Sequence, residues 1–91
     1  MTVLAFPALL THDQASACAH SLGLDIRAEQ GDKVVINASA LEKFDSSALA
    51  VLLQCRRDSA TAGKRFEVNG LPHQLLQLAN LYGISELLDE R

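Results

Sequence analysis

Aromatic residues are scarce in this 91-residue chain, which has three Phe, one Tyr and no Trp. Proteins that bind single-stranded nucleic acid without sequence preference stack bases on exposed rings, so a chain with so few rings is a poor candidate. Basic residues are also few, with eight Lys and Arg against eleven Asp and Glu and a formal net charge of -3. Because phosphate neutralisation drives nucleic-acid binding, the composition predicts no nucleic-acid partner.

Long apolar runs are lacking as well. The longest, residues 48–53, is far shorter than the roughly 20 residues of a membrane-spanning helix, and the apolar N-terminus has no basic segment of the kind that opens a signal peptide. We therefore expect a cytoplasmic location without direct insertion into a membrane. The only two cysteines, Cys18 and Cys55, fall on apolar helical faces and are predicted to be free buried thiols in a reducing cytosol.

Patterns of catalytic and metal-binding residues are missing too. Gly63-Lys64 lacks the upstream Gly and the following Ser or Thr of a phosphate-binding loop, and the three histidines are too scattered to give the i, i+4 pair of a metal site. A Ser/His/Asp catalytic triad could be assembled from Ser47, His73 and Asp45, but no pattern in the sequence supplies an oxyanion hole. The sequence predicts no enzyme activity, no catalytic residue, no cofactor and no metal site.

Strand-like and helix-like segments alternate along the chain. Strands are predicted for residues 3–6, 33–37 and 65–69, and helices for residues 11–29, 46–61 and 72–82. The β-α-β-α-β-α order predicts a single small α/β domain over residues 1–91, with a mainly parallel sheet of three to four strands and helices on one face. One edge strand of this sheet is left without visible protection.

The expected helix ends rest on a few residues. Thr11 and Gln14 form a capping-box pattern at the start of the first helix, and Gly63 is the expected C-cap of the second. In the third helix the apolar stripe ends at Tyr82, which we expect to lie in the core. A further helical turn is predicted within residues 84–91.

The second helix begins with one carboxylate and two hydroxyls, those of Asp45, Ser46 and Ser47. Asp and Ser are preferred N-cap residues because their side chains satisfy the unpaired amides of a first helical turn. A capped helix start still presents hydroxyls to the outside, so capping and partner binding both remain open. We expect free amides and the positive end of the helix dipole at this point.

At these residues the chain resembles a known family. The segment Phe44-Asp-Ser-Ser-Ala-Leu49, preceded by Val-Val-Ile-Asn-Ala-Ser39, is similar to the signature of STAS domains, the fold shared by anti-sigma-factor antagonists and sulfate-transporter tails. That signature is a hydrophobic residue, Asp, two Ser or Thr, Gly and Leu, so Ala48 stands where many members have Gly. Residues 63–70 and 78–84 also match the family in order and spacing.

Within the family, residues 81–88 and the apolar run after Asp-Ser-Ser most resemble the small STAS subunit of the bacterial lipid-asymmetry (Mla) ABC transporter. The resemblance implies a non-catalytic module that binds and stabilises or regulates the ATPase subunit of a phospholipid transporter, and that reaches the inner membrane only through this partner. It implies partner contacts at Ser46 and Ser47, and the start of the helix itself predicts that Asp45 and Ala48 belong to the same docking surface.

Two alternatives stay open. The resemblance to the antagonist branch implies an anti-sigma-factor antagonist that is switched by phosphorylation of Ser47, with a serine kinase or anti-sigma factor as its partner. The second alternative is a small-ligand site at the strand ends of the sheet.

Overall fold

Eight elements make up residues 2–84, the part of the chain that the computed structural model describes. In chain order they are β1 (Thr2–Ala5), β2 (Leu9–Leu10), α1 (His12–Ala28), β3 (Lys33–Asn37), β4 (Lys43–Phe44), α2 (Ser47–Thr61), β5 (Arg65–Asn69) and α3 (His73–Leu81). The main sheet has the order β1-β3-β5, and both of its strand pairs are parallel. The predicted α/β class and the parallel sheet are confirmed.

The central strand β3 owes its place between β1 and β5 to its β-branched residues, which suit a pleated sheet surface. Val34 and Ile36 are fully buried on the face where the helices lie, and they join Val68 of β5 in one apolar cluster. Burying each of these side chains stabilises the fold by about 1.5–3 kcal/mol. Val35 points to the opposite face and lies outside this cluster, although it is also buried.

The helices cover the face that carries Val34 and Ile36. Helix α1 connects β1 to β3 and α2 connects β3 to β5, and the two pack against each other. They contribute the fully buried Ile26, Leu52 and Cys55 to the core. Both cysteines are free as predicted, but Cys18 is only half-buried because it borders an open groove between α1 and residues 5–9.

A second, two-stranded parallel sheet was not predicted. It pairs Leu9 with Lys43 and Leu10 with Phe44, and the N–H groups of residues 42 and 43 donate to the carbonyl of Ala8 at 2.8 and 2.9 Å. Two-residue strands are too short to leave a periodic pattern in a sequence. This small sheet matters for the site, because it brings the end of β4 next to the start of α1.

The helix ends follow from local chemistry. The side-chain oxygen of Gln14 accepts hydrogen bonds from the N–H of Thr11 at 3.0 Å and from its hydroxyl at 2.7 Å, so the predicted capping box is present. At the other end of α1, the ammonium group of Lys64 donates to the carbonyl oxygens of Ile26, at 2.5 Å, and of Glu29. Carbonyl groups at the end of a helix have no hydrogen-bond donor within the helix. Lys64, the residue before β5, supplies a donor to two of them.

Helix α2 agrees with its predicted bounds to within one residue, since it begins at Ser47 with Ser46 as its N-cap. Two predicted details were wrong. The first strand begins and ends one residue earlier than predicted, and Phe6, expected in that strand, follows it and lies in the core. Tyr82 is the C-cap of α3 and is 55% exposed rather than in the core. Of the turn predicted for residues 84–91, all but residue 84 lies outside the described residues.

Candidate functional site at the start of helix α2

The carboxylate of Asp45 joins the beginnings of two helices. One of its oxygens accepts a hydrogen bond from the N–H of Ser47 at 2.8 Å, and the other accepts one from the N–H of His12 at 3.0 Å. Ser47 is the first residue of α2 and His12 is the first residue of α1. Asp45 therefore fixes the two helix starts relative to each other across 33 positions of sequence.

The electrostatics of this arrangement favour the charged form of the carboxyl. The positive ends of two helix dipoles converge on it, and a negative charge near a helix N-terminus is stabilising. Hydrogen bonds from the N–H of Ser47 and, second, from the N–H of His12 lower the pKa of Asp45 from its ordinary value, because both bonds are stronger to the charged carboxylate.

The amides at this helix start are not free, contrary to the sequence prediction. The N–H of Ser47 donates to the side chain of Asp45, that of Ala48 to the carbonyl of Asp45 at 3.1 Å, and that of Leu49 to the carbonyl of Ser46 at 3.0 Å. Asp45 thus takes the place of an external anion. The groups that this surface offers to a partner are the two serine hydroxyls.

The four predicted contact residues differ in exposure. Asp45 and Ser46 are exposed and Ser47 is half-buried, so these three reach the surface and are called the tip surface below. The side chain of Ser46 makes no capping hydrogen bond. Ala48 is fully buried and Leu49 is almost fully buried. Successive residues of a helix are rotated by about 100°, so these two point to the core while the preceding residues point outward. The contact expected from Ala48 is therefore corrected: its methyl group packs inside the domain.

A shallow groove lies between α1 and α2, about one helical turn from the tip surface. Its volume is about 210 Å³, and it is lined by Ala15, Ser16, Ala19, Ala50, Val51 and Gln54. Ala50 is exposed and lies one turn after Ser47, so it shares a helix face with that serine. This interhelical groove was missed at the sequence level, although the i, i+4 spacing of Ala15 and Ala19 was a sign of a narrow helix contact.

The chemistry of the site is that of recognition. Its hydroxyls donate and accept hydrogen bonds, and the neighbouring groove is mostly apolar. Within residues 2–84, no group of three or more His, Cys, Asp or Glu side chains is placed to hold a metal ion. None of the helices in the same range is both long and apolar enough to cross a bilayer.

Comparisons with known proteins agree with this fold. A family model described as "Mlab, STAS domain" matches residues 9–89. Among solved structures, an anti-sigma-factor antagonist (STAS) domain protein from Planctomyces limnophilus superposes with a TM-score of 0.77 at 20% identity, over 94% of this chain and 77% of that chain. A sulfate transporter family protein from Wolinella succinogenes gives a TM-score of 0.74 at 15% identity, over 97% of this chain and 70% of that one.

The comparison with curated proteins found no match. At such low identities the solved structures show the shared fold alone, whereas the family model spans most of the sequence. STAS domains are in general non-catalytic interaction modules. This chain belongs to the STAS domain family.

Proposed function

We propose that this chain is an accessory subunit that binds the ATPase of a phospholipid-trafficking ABC transporter and stabilises or regulates it. The subunit acts in the cytoplasm and is held near the inner membrane by that partner. The observation that carries the proposal is the tip surface, where two serine hydroxyls stand on a helix start that Asp45 holds in place. The family model described as "Mlab, STAS domain" supports the choice of a transporter partner.

Rigidity is what makes the tip surface suited to binding. A flexible loop would lose conformational entropy on docking, whereas a surface that is already fixed avoids much of that cost. The hydrogen bonds that Asp45 accepts from both helix starts, together with the parallel pairing of β2 and β4, fix the backbone that carries Ser46 and Ser47 before any partner arrives. A partner segment pairs with these hydroxyls and places a small apolar side chain in the interhelical groove.

The test is a binding measurement with the purified ATPase subunit of such a transporter from the same organism. Ser46→Ala and Ser47→Ala each remove one hydroxyl, and Ala50→Arg fills the interhelical groove with a long charged side chain. We expect each serine variant to bind a few-fold more weakly and Ala50→Arg to bind at least about tenfold more weakly, which corresponds to about 1.4 kcal/mol.

The matched control is Ala60→Arg. Ala60 is also an exposed alanine of α2, but it lies ten residues further along the helix, near its C-terminal end. This control should bind as tightly as the wild type. If the wild type does not bind the ATPase, or if Ala50→Arg and Ala60→Arg bind equally well, the proposed surface is wrong.

A second candidate is an anti-sigma-factor antagonist that is switched by phosphorylation of Ser47. The observation that favours it is the half-buried Ser47, which reaches the surface at the start of α2 on a fold shared with a solved antagonist domain. A phosphate there would add a charge of about -1.5 to -2 next to a carboxylate that already occupies the helix start. Repulsion between the two anions would weaken the bond between Asp45 and Ser47 and so loosen the junction of α1 and α2.

Phosphorylation separates the two candidates. The antagonist candidate predicts that a serine kinase of an anti-sigma system modifies Ser47, with Ser47→Ala as the unmodified control, and that the phosphorylated chain loses its anti-sigma partner. The transporter candidate predicts binding to the ATPase by the unmodified chain and no need for a kinase. Intact-mass measurement of the chain purified from its own cells distinguishes the modified form from the unmodified one.

A further inference from the structure

The outer edge of β1 presents unpaired backbone groups. The N–H of Phe6 donates to the carbonyl of Asn37 at 2.9 Å, so the backbone of residue 6 faces β3. Because backbone groups alternate in direction along a strand, those of residues 2 and 4 face β3 as well, while the N–H and C=O groups of Val3 and Ala5 face away from the sheet. Among residues 2–84, no strand pairs with this side of β1.

This edge has little of the usual protection. Proteins guard edge strands with charged side chains, with prolines inside the strand, with bulges or with a covering element. Residues 2–5 carry no charge, and the nearest proline, Pro7, comes after the strand has ended. Val3 is 56% exposed, and Leu9, in the short strand β2 that follows, is 42% exposed. Within the described residues 2–84, shortness is the only protective feature of β1.

We propose that the outer edge of β1 pairs with the same edge of a second copy of this chain, as an antiparallel, two-fold symmetric dimer centred on Leu4. In this register Val3 lies opposite Ala5 of the second copy, and Ala5 lies opposite Val3 of that copy. Each of these pairs exchanges two N–H···O=C bonds. The dimer therefore gains four backbone hydrogen bonds and a continuous six-stranded sheet.

A second copy suits this edge because the edge is complementary to itself. A two-fold axis places each strand opposite an identical strand, so residue 4 faces itself and residue 3 faces residue 5, and a strand without charges meets no like charge in this register. β1 has no charged residue. On the helix side of the sheet, Leu4 meets Leu4 of the second copy, and an apolar groove of about 550 Å³ beside β1, lined in part by Phe6, Leu9 and Leu22, lies next to that contact.

The interface is small, so the association is expected to be weak and reversible. A contact built on one four-residue strand falls below the roughly 1,200 Å² of a stable interface. We expect the monomer of 9.8 kDa to predominate in dilute solution. The weight-average mass should rise toward twice that value as the concentration increases by about a hundredfold into the millimolar range.

Sedimentation equilibrium of the full chain tests the proposal, and two proline substitutions test the backbone bonds. The four donors of the dimer are the N–H groups of Val3 and Ala5 in the two copies. Val3→Pro with Ala5→Pro removes all four and leaves the inward-facing amides of β1 intact, since proline is tolerated where an edge N–H faces solvent. We expect this variant to stay monomeric, while its far-UV circular dichroism and melting temperature show that it is folded.

Charged pairs test the register without changing the backbone. Val3→Glu with Ala5→Glu places like charges opposite each other twice and should abolish the dimer. Val3→Lys with Ala5→Glu places opposite charges together twice and should dimerise at least as tightly as the wild type. Both residues are exposed, so neither variant should disturb folding. Leu81→Lys, at a 76% exposed leucine on α3, is the control and should not change the association.

Each outcome decides the question. A dimer that is lost in the double-proline and double-glutamate variants but kept in the lysine–glutamate variant supports the pairing. A chain that stays monomeric at the highest concentration contradicts it. So does a dimer that survives both disruptive variants, because it must use another surface. If the lysine–glutamate variant is monomeric, the register centred on Leu4 is wrong.

Discussion

Replacing Gly70 by alanine should destabilise the fold more than the same replacement at Gly63. Both glycines have positive φ angles, 75° and 74°, which an alanine adopts only at a cost of about 1–2 kcal/mol. They differ in their surroundings. A Cβ atom on Gly63 would meet nothing within 4 Å, whereas one on Gly70 would lie 3.0 Å from the Cβ of Ser39 and 3.1 Å from its backbone nitrogen.

The expected magnitudes follow from that difference. Gly63→Ala should lower the free energy of unfolding by about 1 kcal/mol, because the strain is partly offset by the smaller entropy of the unfolded chain. Gly70→Ala carries the same two effects and a steric overlap with backbone, which typically costs a further 1–3 kcal/mol. The unfolded-state effect is common to both variants, so their difference isolates the contact between the ends of β3 and β5.

Urea unfolding, followed by circular dichroism, measures this difference. A third variant sharpens it: in a Ser39→Gly background the nearest atom is gone, so Gly70→Ala should cost less there by at least about 0.5 kcal/mol. The cost of Gly63→Ala should be the same in both backgrounds. Equal costs for Gly70→Ala and Gly63→Ala in the wild-type background would refute the reasoning, because they would show that the strand end at Ser39 moves aside freely.

Three further variants probe the helix junctions. Because the pKa of Asp45 is lowered by folding, its contribution to stability is present above its unfolded pKa of about 3.9 and is lost as the pH falls through the lower folded value. Asp45→Asn should therefore lower the melting temperature at pH 7 and lose less stability between pH 5 and pH 2 than the wild type; an unchanged pH profile contradicts this. Gly23→Ala adds a methyl group 2.8 Å from a side-chain oxygen of Asp58, whose flexible side chain can move. Because alanine has the higher helix propensity, the free energy of unfolding in urea should stay unchanged or rise by up to about 1 kcal/mol. A loss above about 1 kcal/mol would show that the two helices cannot adjust to the methyl group. Lys64→Met removes the hydrogen bonds to the last turn of α1 and should cost about 0.5–1.5 kcal/mol in urea unfolding, whereas no loss would mean that water replaces the ammonium.

The sequence predicted the elements whose signals are local. The apolar run at residues 33–37 and the alternation at 65–69 gave the bounds of β3 and β5, and the capping pair of Thr11 and Gln14 gave the start of α1 to within one residue. Each of these signals lies within about five residues of the feature that it predicts. They also sufficed for the parallel direction of the strands in the main sheet, because strands joined by helices pair in parallel.

Contacts between distant segments were not predictable in the same way. The tripeptide of the tip surface was predicted because Asp and Ser are preferred at helix N-termini. Nothing in its sequence indicates that Asp45 also accepts a hydrogen bond from the start of a second helix, α1. That depends on the pairing of β2 with β4, and two-residue strands carry no pattern. The burial of Ala48 could be inferred only once the side of α2 that faces the sheet was known.

The double role of Asp45 decides which variants report on binding. Its carboxylate holds both helix starts, so replacing it changes the position of the tip surface even if no partner ever touches it. A loss of binding in Asp45→Asn is therefore expected both if Asp45 only holds the helix starts and if it also contacts the partner, so this variant does not separate the two roles. The hydroxyl of Ser46 carries no capping hydrogen bond and is exposed, so Ser46→Ala should leave stability within about 0.5 kcal/mol of the wild type. A weaker complex in that variant, at unchanged stability, must then come from the surface itself.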